Sequence, residues 1–125
     1  MLKKQKKPNV AAIIATVFIQ FTSNNTIITV IDGKNKTIIS GSCGFLGIKG
    51  SRRSTSYASQ SIANLLGKKI FLYGIRYICV KTKGFGKGRY SCLKGFTSAG
   101  LNILYISDLT SVPFNGCRAP KRRRL

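Results

Sequence analysis

A chain of 125 residues, 43% of them hydrophobic, has enough apolar mass for one domain with a real core and too little length for two. Its 22 lysines and arginines against two acids give a formal net charge of +20, so a folded form works against its own repulsion unless a polyanion neutralises it. The clustering of apolar residues excludes a disordered basic tail, and with no histidine and only Asp32 and Asp108 as acids the chain lacks the converging carboxylates of a two-metal nuclease. Nucleic acid is the first partner expected of such a composition, an anionic membrane surface the second.

The chain begins with a basic arm, residues 1–9, carrying Lys3, Lys4, Lys6 and Lys7. The run VAAIIATVFIQF then imitates the apolar part of a signal peptide, but no small-residue cleavage pattern follows Phe21, and its length falls short of the ~20 residues needed to span a bilayer. It reads instead as a strand over residues 10–21, followed after the turn Ser23-Asn24-Asn25 by a second over 26–31 and, after DGKNK, a third over 37–40: a meander. A glycine-rich basic stretch, GSCGFLGIKGSRRSTS, leads into a helical pattern with Ala58, Ile62, Leu65, Leu66 and Tyr73 along one side. Ser54 or Thr55 can cap it and Gly74 can end it. Gly67 weakens that helix by about 1 kcal/mol relative to alanine and predicts an irregular last turn.

Residues 75–80, IRYICV, are apolar on both faces, the pattern of a central strand covered on two sides. KGFGKGR follows, then a second helix over 90–99 with Leu93 and Phe96 inward and Gly100 as its stop, and a last strand over 101–110. The order βββαβαβ requires crossovers and predicts an α/β domain, a mixed sheet flanked by helices, over residues 10–111. Residues 112–125 hold glycine, proline and cations and almost nothing to bury, so they are expected to form an extended basic tail.

The glycine loop fits no nucleotide fingerprint. Gly84, Gly86 and Gly88 give G-x-G-x-G rather than G-x-G-x-x-G, although Asp108 follows about 20 residues on, and Arg89-Tyr90 stand where a Walker loop needs Lys and Ser or Thr. Strand, glycine turn and helix start beside Lys83, Lys87 and Arg89 can grip a phosphate of any origin, for which a sugar-phosphate backbone is the better fit. A plain flexible connection explains the loop equally well. Lys49, Arg52 and Arg53 lie before the first helix, again beside orphan backbone donors, and Lys121, Arg122, Arg123 and Arg124 end the chain. Each cluster alone reads as a solvated charged end; the four together, with almost no acid, fit a polyanionic surface.

A serine or cysteine nucleophile would have no activating base, so no enzyme is expected. Cys43, Cys79, Cys92 and Cys117 contain no C-x-x-C pair and are expected to be reduced, buried small hydrophobes; no metal or cofactor is expected. A cationic membrane-active protein, the first competing reading, requires a basic amphipathic helix, which the β-branched run 10–21 does not supply. The second, a ribonuclease-H-like RNA-processing enzyme, requires the missing carboxylates.

Taken in order, SNNT with Ile27-Ile28-Thr29-Val30-Ile31-Asp32, then GSRRST leading to Tyr57-Ala58-Ser59-Gln60, then KGFGKGR, then Asp108-Leu109-Thr110, and finally PFNGCRAPKRRR, resemble the successive motifs of the universal small-subunit ribosomal protein eleven family, of bacterial type. The family usually has proline at Phe85, Ser56 and Ala119 and histidine at Phe114. The resemblance implies a ribonuclease-H-like fold without nuclease activity and a structural role in the small ribosomal subunit during translation. It implies binding to small-subunit rRNA on the platform near the messenger exit side, with mRNA nearby and small-subunit proteins seven and eighteen as neighbours, and no membrane. Carried onto the matching motifs, rRNA contacts are expected at Asn24, Asn25, Lys49, Ser51, Arg52, Arg53, Lys83, Gly84, Gly86, Lys87, Gly88, Arg89, Asn115, Gly116, Arg118, Lys121, Arg122, Arg123 and Arg124. Phe85 and Phe114 could stack on unpaired bases or pack under the loop. Richness in isoleucine, lysine and asparagine, where relatives often carry valine, alanine and arginine, and the absence of a cleavable-looking extension point to synthesis in the mitochondrial matrix for the mitochondrial small subunit, with the plastid stroma as the alternative.

Overall fold

Alternation builds the first strand: in β1, Ile14–Phe21, Ala15, Val17, Ile19 and Phe21 are buried, while Ile14, Phe18 and Gln20 face out. A computed structural model describes residues 14–124; the basic arm expected at 1–9 and the start of the first expected strand lie outside the described residues. β1 runs antiparallel to β2, Thr26–Ile31, and β2 antiparallel to β3, Thr37–Ser42, which is the expected meander. Thr22 closes the first turn by donating from Oγ1 to the Asn25 carbonyl (3.0 Å) and accepting the Asn25 N–H (2.9 Å). In the second turn the Asp32 carboxylate accepts the N–H groups of Lys34 (2.9 Å) and Lys36 (3.0 Å), and Asn35 takes the left-handed conformation (φ 59°) that such turns require.

Two short 3-10 turns, Cys43–Leu46 and Gly50–Ser54, occupy the glycine-rich basic stretch and deliver the chain to α1, Ser56–Leu72. Thr55 caps α1, its side chain accepting the Ala58 N–H at 3.3 Å. The helix buries Ala58, Ser59, Ile62, Ala63, Leu66, Gly67 and Ile70; Leu65 and Tyr73, expected inward, are only half-buried at the margins of that stripe. Gly67 does not disturb the last turn, because the helix continues to Leu72. A Cβ at Gly67 would lie 2.7 Å from Ala99 Cβ and 3.4 Å from the Phe96 ring, so the glycine gives up helix propensity to let α2, Arg89–Ser98, approach. Gly95 on α2 answers it, since a Cβ there would come within 2.8 Å of Ala63 Cβ.

The paired helices form one layer on one face of a five-stranded sheet of order β3-β2-β1-β4-β5, in which β1, β4 (Tyr77–Lys83) and β5 (Asn102–Asp108) are parallel. The expectation of a central strand covered on two sides is therefore corrected. In β4, Ile78, Val80 and Thr82 face the helices, whereas Tyr77, Cys79, Lys81 and Lys83 face the other way, where Cys79 alone is buried. The run looked apolar throughout because Ile75, which seals the core beyond the end of α1, precedes the strand. The mixed sheet flanked by helices is as expected, with both helices on the same face.

Cys43, Cys79 and Cys92 are buried and all four cysteines are free; Cys117 is exposed on the tail, which corrects the expectation for that residue. Burial, with Cys43 nearby, pushes the Cys92 thiol up to about 12. From Pro113 to Arg124 there is no helix or strand and every residue is exposed.

Candidate nucleic-acid interface

Because β1, β4 and β5 run in parallel, their carboxyl ends at Phe21, Lys83 and Asp108 emerge along one edge of the sheet, where α1 and α2 both begin. In open α/β sheets this edge is where ligands meet backbone donors and helix amino ends. Neither helix has an acid in its first turn, and no side chain caps α2, which starts from Gly88.

The glycine loop is packed rather than slack. Gly84 has a φ of +91° and lies so close to the end of β1 that a Cβ would overlap the Phe21 carbonyl oxygen. Gly88 lies against α1, and its Cβ would overlap the Ser59 side chain, which itself is hydrogen-bonded to Thr26 Oγ1 across the helix–sheet gap (2.9 Å). The Ser56 hydroxyl donates to the Lys87 carbonyl at 3.2 Å, tying the loop to the first turn of α1. Two glycines of the repeat thus answer close backbone approaches, and Lys83 and Lys87, both exposed, are held out at the sheet edge.

Asp108 locks the other side of the loop, a role that the sequence reading missed. One carboxylate oxygen accepts the Thr110 N–H (3.0 Å) and hydroxyl, the Thr110 hydroxyl oxygen accepts the Gly84 N–H (3.1 Å), and the second carboxylate oxygen pairs with Arg89 at 2.9 Å. Hydrogen bonds from the Thr110 hydroxyl and backbone hold the Asp108 carboxyl below the usual carboxylate range, and the Arg89 guanidinium adds to this. A carboxylate with a lowered folded-state pKa contributes stability above its ordinary range and loses it as pH falls through the folded value. Asp108→Asn should therefore melt below the wild type at neutral pH, and the two melting temperatures should converge in acid below the ordinary carboxylate range. A gap that persists there would remove Asp108 ionisation as its cause.

The expected contact residues divide into two groups. Asn24 and Asn25 in the β1–β2 turn, Lys49, Ser51, Arg52 and Arg53 leading into α1, and residues 83–89 share the carboxyl edge. Within that group Asn25 is already engaged, its Oδ1 accepting the Thr26 N–H at 2.9 Å, and Arg89 is paired with Asp108 rather than free. Asn115, Gly116, Arg118, Lys121, Arg122, Arg123 and Arg124 are not brought to the edge; they lie on the exposed tail, with Asn115 left-handed (φ 57°). Phe85 is 72% exposed with the Arg89 guanidinium 5.9 Å from its ring centroid, and Phe114 is fully exposed. Neither packs under the loop; Phe21 does, its Cβ 3.2 Å from where a Gly86 Cβ would be.

Both acids are committed to turns at opposite ends of the sheet, Asp32 just after β2 and Asp108 as the last residue of β5, so no pair of carboxylates converges. Among the described residues no three His, Cys, Asp or Glu side chains gather as a metal-binding group, and no helix is long and apolar enough to cross a membrane.

A basic α/β module with cations and helix amino ends gathered at one sheet edge belongs to the class of domains that bind polyanions. Residues 14–124 match the family Ribosomal protein S11. The chain is also 42% identical over 124 residues to the "Small ribosomal subunit protein uS11" of Nitratidesulfovibrio vulgaris, a match that covers 99% of this chain and 95% of that relative. The chain belongs to the ribosomal protein S11 family, whose members are structural and not enzymatic.

Proposed function

We propose that the chain is a structural constituent of the small ribosomal subunit that supports translation by holding small-subunit rRNA against the carboxyl edge of its sheet and along its basic tail. The observation that carries this reading is the fixed glycine loop, which presents Lys83 and Lys87 beside two helix amino ends with no uncommitted acid among them. Structured RNA is recognised largely through phosphates, shape and 2′-hydroxyls, which suits such an edge. The sheet and helices between residues 14 and 111 act as the folded unit, and the basic tail after them follows the RNA. In the subunit the protein sits on the platform near the messenger exit side, with small-subunit proteins seven and eighteen as neighbours. Its isoleucine-, lysine- and asparagine-rich composition supports a mitochondrial ribosome over a plastid one; co-sedimentation with the small subunit from isolated mitochondria tests that location.

Arg52, Lys87 and Arg118 sample the α1 entry, the glycine loop and the tail. Changing each to alanine should weaken rRNA binding and lower the slope of log K against log salt by about one, the signature of one lost phosphate contact. An unchanged slope in all three would reject the contact assignment, while a hydroxyl-radical footprint of the bound chain on small-subunit rRNA tests the placement directly.

A further inference from the structure

The helical layer leaves the opposite face of the sheet open. There Phe18 from β1 lies between Ile27 and Thr29 of β2 and Lys81 of β4, with Gln20 and Lys83 toward the carboxyl edge. These side chains surround a shallow hollow of about 320 Å³, at the lower end of the range for small-molecule sites and large enough for one nucleoside. Phe18 is 36% and Ile27 39% exposed, and Lys81 Nζ stands 5.6 Å from the centroid of the Phe18 ring. Contiguous exposed apolar residues on a sheet face mark an interaction surface.

We propose that this face is a second RNA site, taking an unpaired base of the rRNA on the Phe18 ring while Lys81 and Lys83 meet the flanking phosphates. The inference rests on the rRNA-binding reading given above. Charge decides between RNA and a protein occupant. Interface cores between proteins are depleted of lysine, whereas here one lysine covers the central aromatic ring, another stands at the rim, and neither acid of the chain is on this face. A second copy of a chain with net charge +20 would add repulsion rather than relieve it. An aromatic ring on a β-sheet with cations beside it offers a base a stacking surface and its backbone a counter-charge. The hollow also continues into the carboxyl edge through Lys83 and Leu109, so one RNA strand can pass from the glycine loop onto the sheet.

The test uses the full chain and a single-stranded RNA octamer containing one 4-thiouridine. Irradiation should crosslink the thiouridine to the peptide that contains Phe18. Phe18→Leu, which keeps the apolar volume but removes the ring, should weaken octamer binding about tenfold with an unchanged salt slope. Phe18→Tyr should bind as the wild type does, and Lys81→Met should lower the slope by about one. Crosslinks confined to the glycine loop and tail, equal affinity of Phe18→Leu and wild type, or a protein covering Phe18 in the assembled subunit would each overturn the proposal. If Phe18→Leu is silent while Arg52→Ala and Lys87→Ala still flatten the salt dependence, only the second site fails; if those two are silent as well, the rRNA-contact assignment fails with it.

Discussion

Gly84→Ala should lower the free energy of unfolding by about 2–4 kcal/mol and remove most rRNA affinity at the carboxyl edge. Two costs combine at this position. The φ of +91° is one that a residue with a Cβ rarely adopts, and the added methyl would overlap the Phe21 carbonyl oxygen, which is backbone in a buried strand and has nowhere to go. Relief requires the loop to lift from β1, which breaks the Gly84 N–H bond to Thr110 and separates Lys83 and Lys87 from the start of α1. Gly86→Ala is the contrasting case. Its φ is not positive, and its new Cβ would be 3.2 Å from Phe21 Cβ and 3.4 Å from the Thr22 carbonyl, so a loss under about 1 kcal/mol is expected. Urea midpoints of the two variants check the stability difference, and rRNA titration at fixed salt checks the affinity. Equal midpoints would mean that the loop is as slack as a plain connection.

The contrast between those glycines marks where sequence reasoning stops. Period-two alternation places β1 and β2 because each strand buries one face, and β2 is predicted to the residue. Thr55 and Gly74 bracket α1 because capping and helix termination are local chemistry. The reason for a glycine is not local. Gly67 reads as a weak point in a helix until Ala99 and Phe96 are seen beside it, and Gly88 reads as slack until Ser59 is. The one-sided helical layer was hidden for the same reason, since IRYICV carries no sign that its first isoleucine belongs to a different part of the core from the rest. At the site, the positive charges were legible from composition, but their commitments were not. Arg89 and Lys87 look alike in the sequence, yet one is paired with Asp108 and the other is held outward by a bond to its backbone carbonyl. The scarcity of acids was the available signal: in a chain with two carboxylates, each is a candidate for a structural task that only an anion performs.

Phe96→Ala should separate the stability of the free chain from its stability on rRNA. Phe96 is fully buried and lies against Gly67 in the seam between α1 and α2, so truncation costs about 3–5 kcal/mol for the lost transfer energy and the cavity. Many domains have little more than that in total, and this one also carries an uncompensated charge of +20. The free variant should therefore be largely unfolded at 25 °C in dilute buffer. The contacts at the carboxyl edge exist only in the folded form, so at a free rRNA concentration a thousandfold above Kd binding adds up to about 4 kcal/mol, less what the exposed basic tail gives the unfolded chain, and this should restore native helix content by circular dichroism. Raising the salt should reverse the rescue, because it weakens phosphate contacts steeply while leaving the core untouched. The wild type under the same salt should stay folded, since it lacks the cavity. A Phe96→Ala chain that is folded without RNA, or one that rRNA cannot restore at low salt, would break the link between polyanion binding and folding on which the electrostatic account rests.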